Sequence, residues 1–262
     1  MFPNKVILTD PGHIYTHIDD AIQYKSVSKV IEQYKNKFDT EKMSYLSARK
    51  KLREETGKEP TEDQILHRKG LLKIEWKKKN ELSIRVGNHV HNCLETYGKT
   101  TKIVDTKLEP MIRGIYSHYT GYKKICYEQI LYSEEDEVAG TTDRVMLRPK
   151  TKNTIDIDDY KTNISQGIAT SNKYGQYMLK PFDYLEDCNF IHYSLQLSVY
   201  AAMVEKYGFK IGRLRILYIP PNNPLGFRFI PVPYMKFEAT MLLTSHLNKE
   251  HIDQMSTVYH EV

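Results

Sequence analysis

Ile155-Asp156-Ile157-Asp158-Asp159-Tyr160-Lys161 is the stretch on which the reading of this chain turns. Its β-branched residues and short length predict a strand, and a strand sends successive side chains to opposite faces. Ile155, Ile157, Asp159 and Lys161 therefore share one face. The isoleucines can anchor in a core while the carboxylate and the ammonium emerge together at the strand's end. Asp156, Asp158 and Tyr160 point the other way. The segment before it supplies Gly140-Thr141-Thr142-Asp143. There the glycine permits close backbone approach or a bulge, and Asp143 can face Asp159 across an antiparallel pair.

The runs Ile125 to Tyr132, Val138 to Leu147 and Thr154 to Tyr160 predict three successive strands of a meander. Upstream, residues from about 18 to 80 are lysine-rich and glycine-poor, with Val27, Val30, Ile31 and Tyr34 at helical spacing and Ser28 available as an N-cap. The expected organisation is a helical lobe over residues 1–80, packed on a core over residues 81–262. A second helix is expected from Val86 to about Tyr97, and a third from Thr106 to Tyr119, broken near Pro110. Downstream, the stretch from Asn163 to Asn189 is longer than an ordinary connection, which favours a functional loop. A helix over Tyr193 to Tyr207, strands at Leu214 to Ile219 and Phe227 to Val232 joined by Pro-Pro-Asn-Asn-Pro, and a final helix over Tyr234 to Leu247 complete the expectation. The fold class is α+β: a central mixed β-sheet flanked by helices, with an N-terminal helical lobe.

With 262 residues, 40% of them hydrophobic, the chain can bury a core. A formal charge of +5 is compatible with a polyanionic partner without requiring one. Cys93, Cys126 and Cys188 are widely spaced, so neither a disulfide framework nor a zinc or iron–sulfur site is suggested. The N-terminal residues lack a leader pattern and no run of about 18 apolar residues occurs, so a soluble, cytoplasmic protein with no membrane association is expected. Gly-rich phosphate loops, a Gly-x-Ser-x-Gly elbow and a dinucleotide fingerprint are missing from the sequence, which argues against those chemistries. Lys50, Lys51, Arg53, Arg68, Lys69, Lys73 and Lys77 to Lys79, punctuated by Tyr45 and Trp76, make basic faces. Such faces either track and stack on single strands or are simply solvated.

Hydrolysis of a phosphodiester needs its charge neutralised and a water activated, and carboxylates holding Mg²⁺ supply both. Asp143 and Asp159 fit that need, with Lys161 placed to orient the water or stabilise the developing charge. His91 and Glu95 lie four apart on one helix face and can complete a metal shell, whereas His89 points elsewhere. Gln196 and Tyr200 form a second such pair, able to bond a phosphate or orient Lys161. Glu128 reads as an exposed strand residue in preference to a supporting acid. Tyr116, Tyr119 and Tyr122 read as packing residues.

In order, Gly87-x-x-x-His91-x-x-x-Glu95, Gly140-x-x-Asp143, Asp159-Tyr160-Lys161-Thr162 and Gln196-x-x-x-Tyr200 resemble the motifs of the RecB-like branch of the PD-(D/E)XK nucleases, over about residues 85 to 205. The resemblance implies a restriction-endonuclease-like core and a Mg²⁺-dependent DNA exonuclease, Mn²⁺ substituting, that acts on single-stranded ends in phage-type or repair and recombination DNA metabolism. By that resemblance His91, Asp143, Asp159 and the carbonyl of Tyr160 would bind the metal. Lys161 would be catalytic, Glu95 would assist, and Gln196 and Tyr200 would organise substrate. Trp76, Lys173, Tyr174 and Tyr177 become candidate guides for a strand. The iron–sulfur members carry a cysteine set that this chain lacks, so no cluster is expected. A structure-selective endonuclease, or a catalytically inactive nucleic-acid-binding module on the same fold, are the alternatives.

Overall fold

The computed structural model describes residues 2–9, 13–122, 124–163, 167–220, 223 and 225–244. Three short strands open it: β1 (Val6–Thr9), β2 (Ile14–His17) and β3 (Gln23–Ser26). This corrects the expectation of a helical lobe beginning at residue 1. Strands of four residues are too short for alternation to separate them from a helical pattern. Helix α1 (Val27–Glu32) follows, capped by Ser26, which accepts the amide of Lys29, and not by Ser28. Next come α2 (Thr40–Thr56) and α3 (Glu62–Thr100). Asp39 caps the start of α2, and Gly57, at φ 67°, ends it in the left-handed conformation that lacks a Cβ penalty. The separate helix expected at Val86 is the last part of α3, an unbroken helix of 39 residues.

Residues 36–89 pack among themselves as one unit, and residues 1–35 with 90–262 as another. Inside the first, Ala48, Ile65 and Leu72 form a small core with Tyr45 and Leu52 against it. Several of its basic residues are engaged locally: Glu41 pairs with Lys69 and Lys73, Glu55 with Arg68, and Glu59 with Arg49. Those cations are partly neutralised where they sit.

In the larger unit, α4 (Glu109–Ser117) carries Pro110 in its first turn, where a missing N–H costs nothing; the proline starts this helix and does not break it. The meander is as expected, β4 (Ile125–Ser133), β5 (Val138–Leu147) and β6 (Thr154–Lys161). After it come α5 (Asn189–Lys206), β7 (Lys210–Tyr218), β8 (Arg228–Val232) and α6 (Lys236–Thr244). The expected end of the last helix, beyond residue 244, lies outside the described residues, as does part of the 220–224 turn. The strands form one mixed eight-stranded sheet in the order β1-β2-β3-β5-β6-β7-β8, with β4 also on β5. Ile155, Ile157, Leu195, Val199 and Ile216 belong to the main core, where α5 lies against the sheet.

An interruption in the pairing of β5 positions the candidate site. Along one edge β5 pairs with β4 over its length. Along the other it pairs with β3 only at Val138 and Ala139, and with β6 only from Arg144 to Leu147. Residues 140–143 therefore lie in a fork, where β6 leaves β5 after Asp158 while staying paired with β7 through Lys161.

Below the fork, Asp158 is fully buried and held by both nitrogens of an Arg215 fork at 2.8 Å each, with Tyr119 donating a third bond. Removing one partner of such a pair strands the other's charge in the interior. Arg215→Met is therefore expected to destabilise the protein by about 3–5 kcal/mol, read from urea unfolding. A loss under about 1 kcal/mol would mean that Asp158 finds water or another donor.

Candidate metal centre

Where β6 leaves β5, backbone groups that a ladder would satisfy must find other partners. The amide N–H of Tyr160 donates to Asp143 Oδ2, and the carbonyl of Thr141 accepts from the Tyr200 hydroxyl at 2.9 Å. The fork thus fixes one carboxylate and one α5 side chain through main-chain atoms. Gly140 makes room for this: a Cβ there would lie 2.7 Å from the Tyr200 ring and 3.0 Å from Val27.

The other oxygen of Asp143 meets His91 Nδ1 at 3.0 Å. His91 stands on α3 and lies edge-on to the Tyr160 ring, centroids 5.3 Å apart. On β4, directly opposite Asp143 and between the paired Tyr127–Arg144 and Gln129–Thr142, sits Glu128. His91, Glu128 and Asp143 each bring a donor atom within 4.8 Å of the other two. Glu128 is half-buried, which corrects its reading as an exposed strand residue. Its φ is 48°, a left-handed conformation that costs a non-glycine residue roughly 1–2 kcal/mol. Strain of this kind persists where surrounding structure over-determines it, and functional sites are where it collects.

Asp159 and Lys161 do share the face that alternation predicts, next to the core isoleucines, and they form an ion pair with each other. Lys161 also reaches Gln196 Oε1 at 3.5 Å, Gln196 Nε2 donates to the Tyr200 hydroxyl at 3.3 Å, and the ammonium lies 4.7 Å over the Tyr193 ring. Tyr193 is held in turn by Asn163. Sequence reading missed Tyr193, although its place three residues before Gln196 puts it on the same side of α5. Glu95, one turn after His91, pairs with Lys99 and lies outside the three-donor group.

The electrostatics describe a site with an excess of negative charge. Burial and the charges of Asp143 and Glu95 push Glu128 up to about 7. Burial also lifts Asp159 above the ordinary carboxylate range even with the Lys161 ammonium beside it, Asp143 adding to the rise. Asp143 stays below its ordinary value: burial opposes this, but the charge and hydrogen bond of His91, with Lys161 and the Tyr160 amide, prevail. The Asp143 charge in turn raises His91 against the effect of burial. An imidazole with two carboxylates is a donor set that suits a divalent cation, and oxygen-rich shells favour Mg²⁺ or Mn²⁺. Such an ion would offset both the burial cost and the mutual repulsion that lift Glu128 and Asp159, so the residues present fit it.

The remaining expected residues are not among these contacts. Trp76 belongs to the 36–89 unit and packs edge-on against Phe38 at 5.9 Å. Lys173, Tyr174 and Tyr177 lie on the connection into α5, with Tyr174 63% and Tyr177 52% exposed. That connection is pinned at its base, where Asp187 meets His192 at 2.7 Å and Asn172 donates to the Asp187 carbonyl.

No family model matches this chain and no curated protein does. Among solved structures, similarity is found to a Eubacterium rectale protein described as a candidate exonuclease, at TM-score 0.41 and 18% identity, covering 89% of this chain and 81% of that one. It is also found to the protein SSO0001, at TM-score 0.33 and 13% identity, covering 86% and 75%. No helix among the described residues is long and apolar enough to cross a membrane.

The raised Glu128 makes a signed prediction. In the metal-free protein its burial costs nothing below about pH 4.5, where folded and unfolded chains are both protonated there, and costs progressively more up to about pH 7. Glu128→Gln should match the wild type in thermal stability near pH 4 and exceed it at pH 8 in EDTA, by on the order of 1–3 kcal/mol. A difference that does not grow with pH would refute the assignment.

Proposed function

We propose that this protein is a metal-dependent nuclease that hydrolyses DNA phosphodiester bonds, working from single-stranded ends. The observation that carries the reading is the grouping of His91, Glu128 and Asp143 beside the Asp159–Lys161 pair at the end of one strand. Bound there, a divalent ion supplies charge neutralisation for the phosphate and a water of lowered pKa. His91, Asp143, Asp159 and the carbonyl of Tyr160 are the residues proposed to hold it, and Glu128 is added as a further donor.

The chain's own groups account for the rest of the chemistry. Lys161, held charged by Asp159 and Asp143 against the effect of burial, presents an ammonium to a non-bridging phosphate oxygen or to the attacking water. Gln196 fixes the direction of that ammonium and is itself fixed by Tyr200, whose hydroxyl is anchored on the β5 main chain. Substrate would release Lys161 from its partner in exchange for phosphate. Glu95 assists by its charge. The exposed Tyr174 and Tyr177, with Lys173 5.2 Å over the Tyr174 ring, offer faces on which unpaired bases stack, the basis for preferring single strands. Trp76 and the basic faces of residues 36–89 are proposed as a further guide.

The test is a time course on 5′-labelled and 3′-labelled single strands, duplexes and single-stranded circles, with Mg²⁺, Mn²⁺ or EDTA. Mononucleotide release from linear strands, none from circles and none in EDTA is the expected result. Asp143→Asn, Asp159→Asn and Lys161→Ala should each lower kcat by at least 100-fold, about 2.7 kcal/mol of transition-state stabilisation. Full activity in any one of them would remove that residue from the centre, and steady cutting of circles would make the enzyme an endonuclease. Tyr174→Ala with Tyr177→Ala should raise KM for single strands roughly tenfold and leave kcat in place, as the loss of about one stacked base requires.

A further inference from the structure

Arg144 follows Asp143 in β5 and is completely buried, yet none of its three guanidinium nitrogens makes a well-formed hydrogen bond among the described residues, although the Tyr116 hydroxyl interacts with it. Its surroundings are aromatic: the guanidinium carbon lies 4.1 Å from the Tyr119 ring centre, 4.7 Å from Tyr116, 5.1 Å from Tyr160 and 5.4 Å from Tyr127. Asp158, its cross-strand neighbour, is already committed to Arg215 and Tyr119. A buried cation so poorly hydrogen-bonded is expensive where an apolar side chain would pack as well, so its presence calls for a role.

Tyr160 tells what that role is. Strand pairing between β5 and β6 ends at Asp158, so among the contacts described the segment holding Asp159 and Lys161 is tied directly to β5 by Tyr160, the route from Lys161 through Gln196 and Tyr200 to Thr141 passing by way of α5. Its amide donates to Asp143 on one side of the sheet, and its ring is gripped by Arg144 on the other. The two tethers join consecutive residues of β5 to one residue of β6. We infer that Arg144 is a positioning residue for the metal centre, whose flat cation clamps the Tyr160 ring and so sets the separation of Asp143 from Asp159 and Lys161. Planarity matters here: a guanidinium stacks on several rings at once, which an ammonium does less well.

The inference rests on the metal-centre reading and is tested without relying on turnover. Mn²⁺ alone is titrated calorimetrically into wild type, Arg144→Met and Arg144→Lys, with circular dichroism to establish folding. Arg144→Met should bind Mn²⁺ at least tenfold more weakly, and Arg144→Lys should recover part of the loss. On single-stranded DNA the same variants should lower kcat while leaving KM within twofold, the pattern of a displaced reacting group and not of a lost substrate contact. Should Arg144→Met fail to fold, Tyr160→Leu, which keeps the cation with three rings, decides by the same titration. Mn²⁺ affinity within twofold of wild type in a folded Arg144→Met or Tyr160→Leu protein overturns the inference. If wild type binds Mn²⁺ but cuts no DNA, the nuclease reading falls while the Mn²⁺ comparison still decides the role of Arg144.

Discussion

The centre depends on one hydrogen bond made across a gap in the sheet, from the Tyr160 amide to the Asp143 carboxylate. Inside a regular antiparallel pair that amide would face a carbonyl, and a buried side chain would have no claim on it. Because β6 turns away after Asp158, the amide is released, and a buried N–H must be satisfied by something. A carboxylate satisfies it well and is positioned by doing so, since charge-assisted bonds are among the stronger and better-oriented ones. Thr141 meets the same need at its carbonyl by taking the Tyr200 hydroxyl. The sheet's own unfinished pairing thereby recruits side chains from β5 and α5 to one place.

What gathers there is costly in the absence of a cation. Three carboxylates, Glu128, Asp143 and Asp159, stand close with Lys161 as the permanent positive charge. Proteins accept such repulsion, and the left-handed backbone at Glu128, when a larger free energy is recovered on binding. The rigid surroundings make that possible. Below the fork, Asp158 and Asp156 are saturated by Arg215, Arg213 and Arg148, so the neighbouring acids of the same strand are occupied and do not compete for an ion.

How much of this was legible follows from which residues obey regular periods. Along β6 the period of two holds, so Ile155, Ile157, Asp159 and Lys161 could be assigned to one face and the remaining acids to the other. In β4 it does not hold: Cys126 and Leu131 both pack on the main core although they stand five positions apart, an odd offset that regular alternation would send to opposite faces. The positive φ at Glu128 lies between them, and a period-two reading cannot anticipate a residue that breaks the period. The hairpin register alone would have found it, because pairing Tyr127 with Arg144 puts Glu128 opposite Asp143. Arg144 carried a fainter signal, a cation in a strand whose one other charge is Asp143, with many tyrosines elsewhere in the chain. The first three strands were illegible for want of length, and Gly87 sits inside a helix long enough to absorb its cost.

Gly140 and Tyr200 sit so close that neither position is free to vary by itself. A methyl group at 140 collides with the ring, and a smaller residue at 200 abandons the Thr141 carbonyl it was holding. Effects at contacting positions do not add, and here the order of events matters. A lineage descending from this chain could lose the glycine cheaply only after the tyrosine had already gone, and by then the anchor beneath Gln196 and Lys161 would be gone too. Divergence along that path dismantles the anchored side chains before it dismantles the fold, which ties the history of two residues on different elements to a single fate.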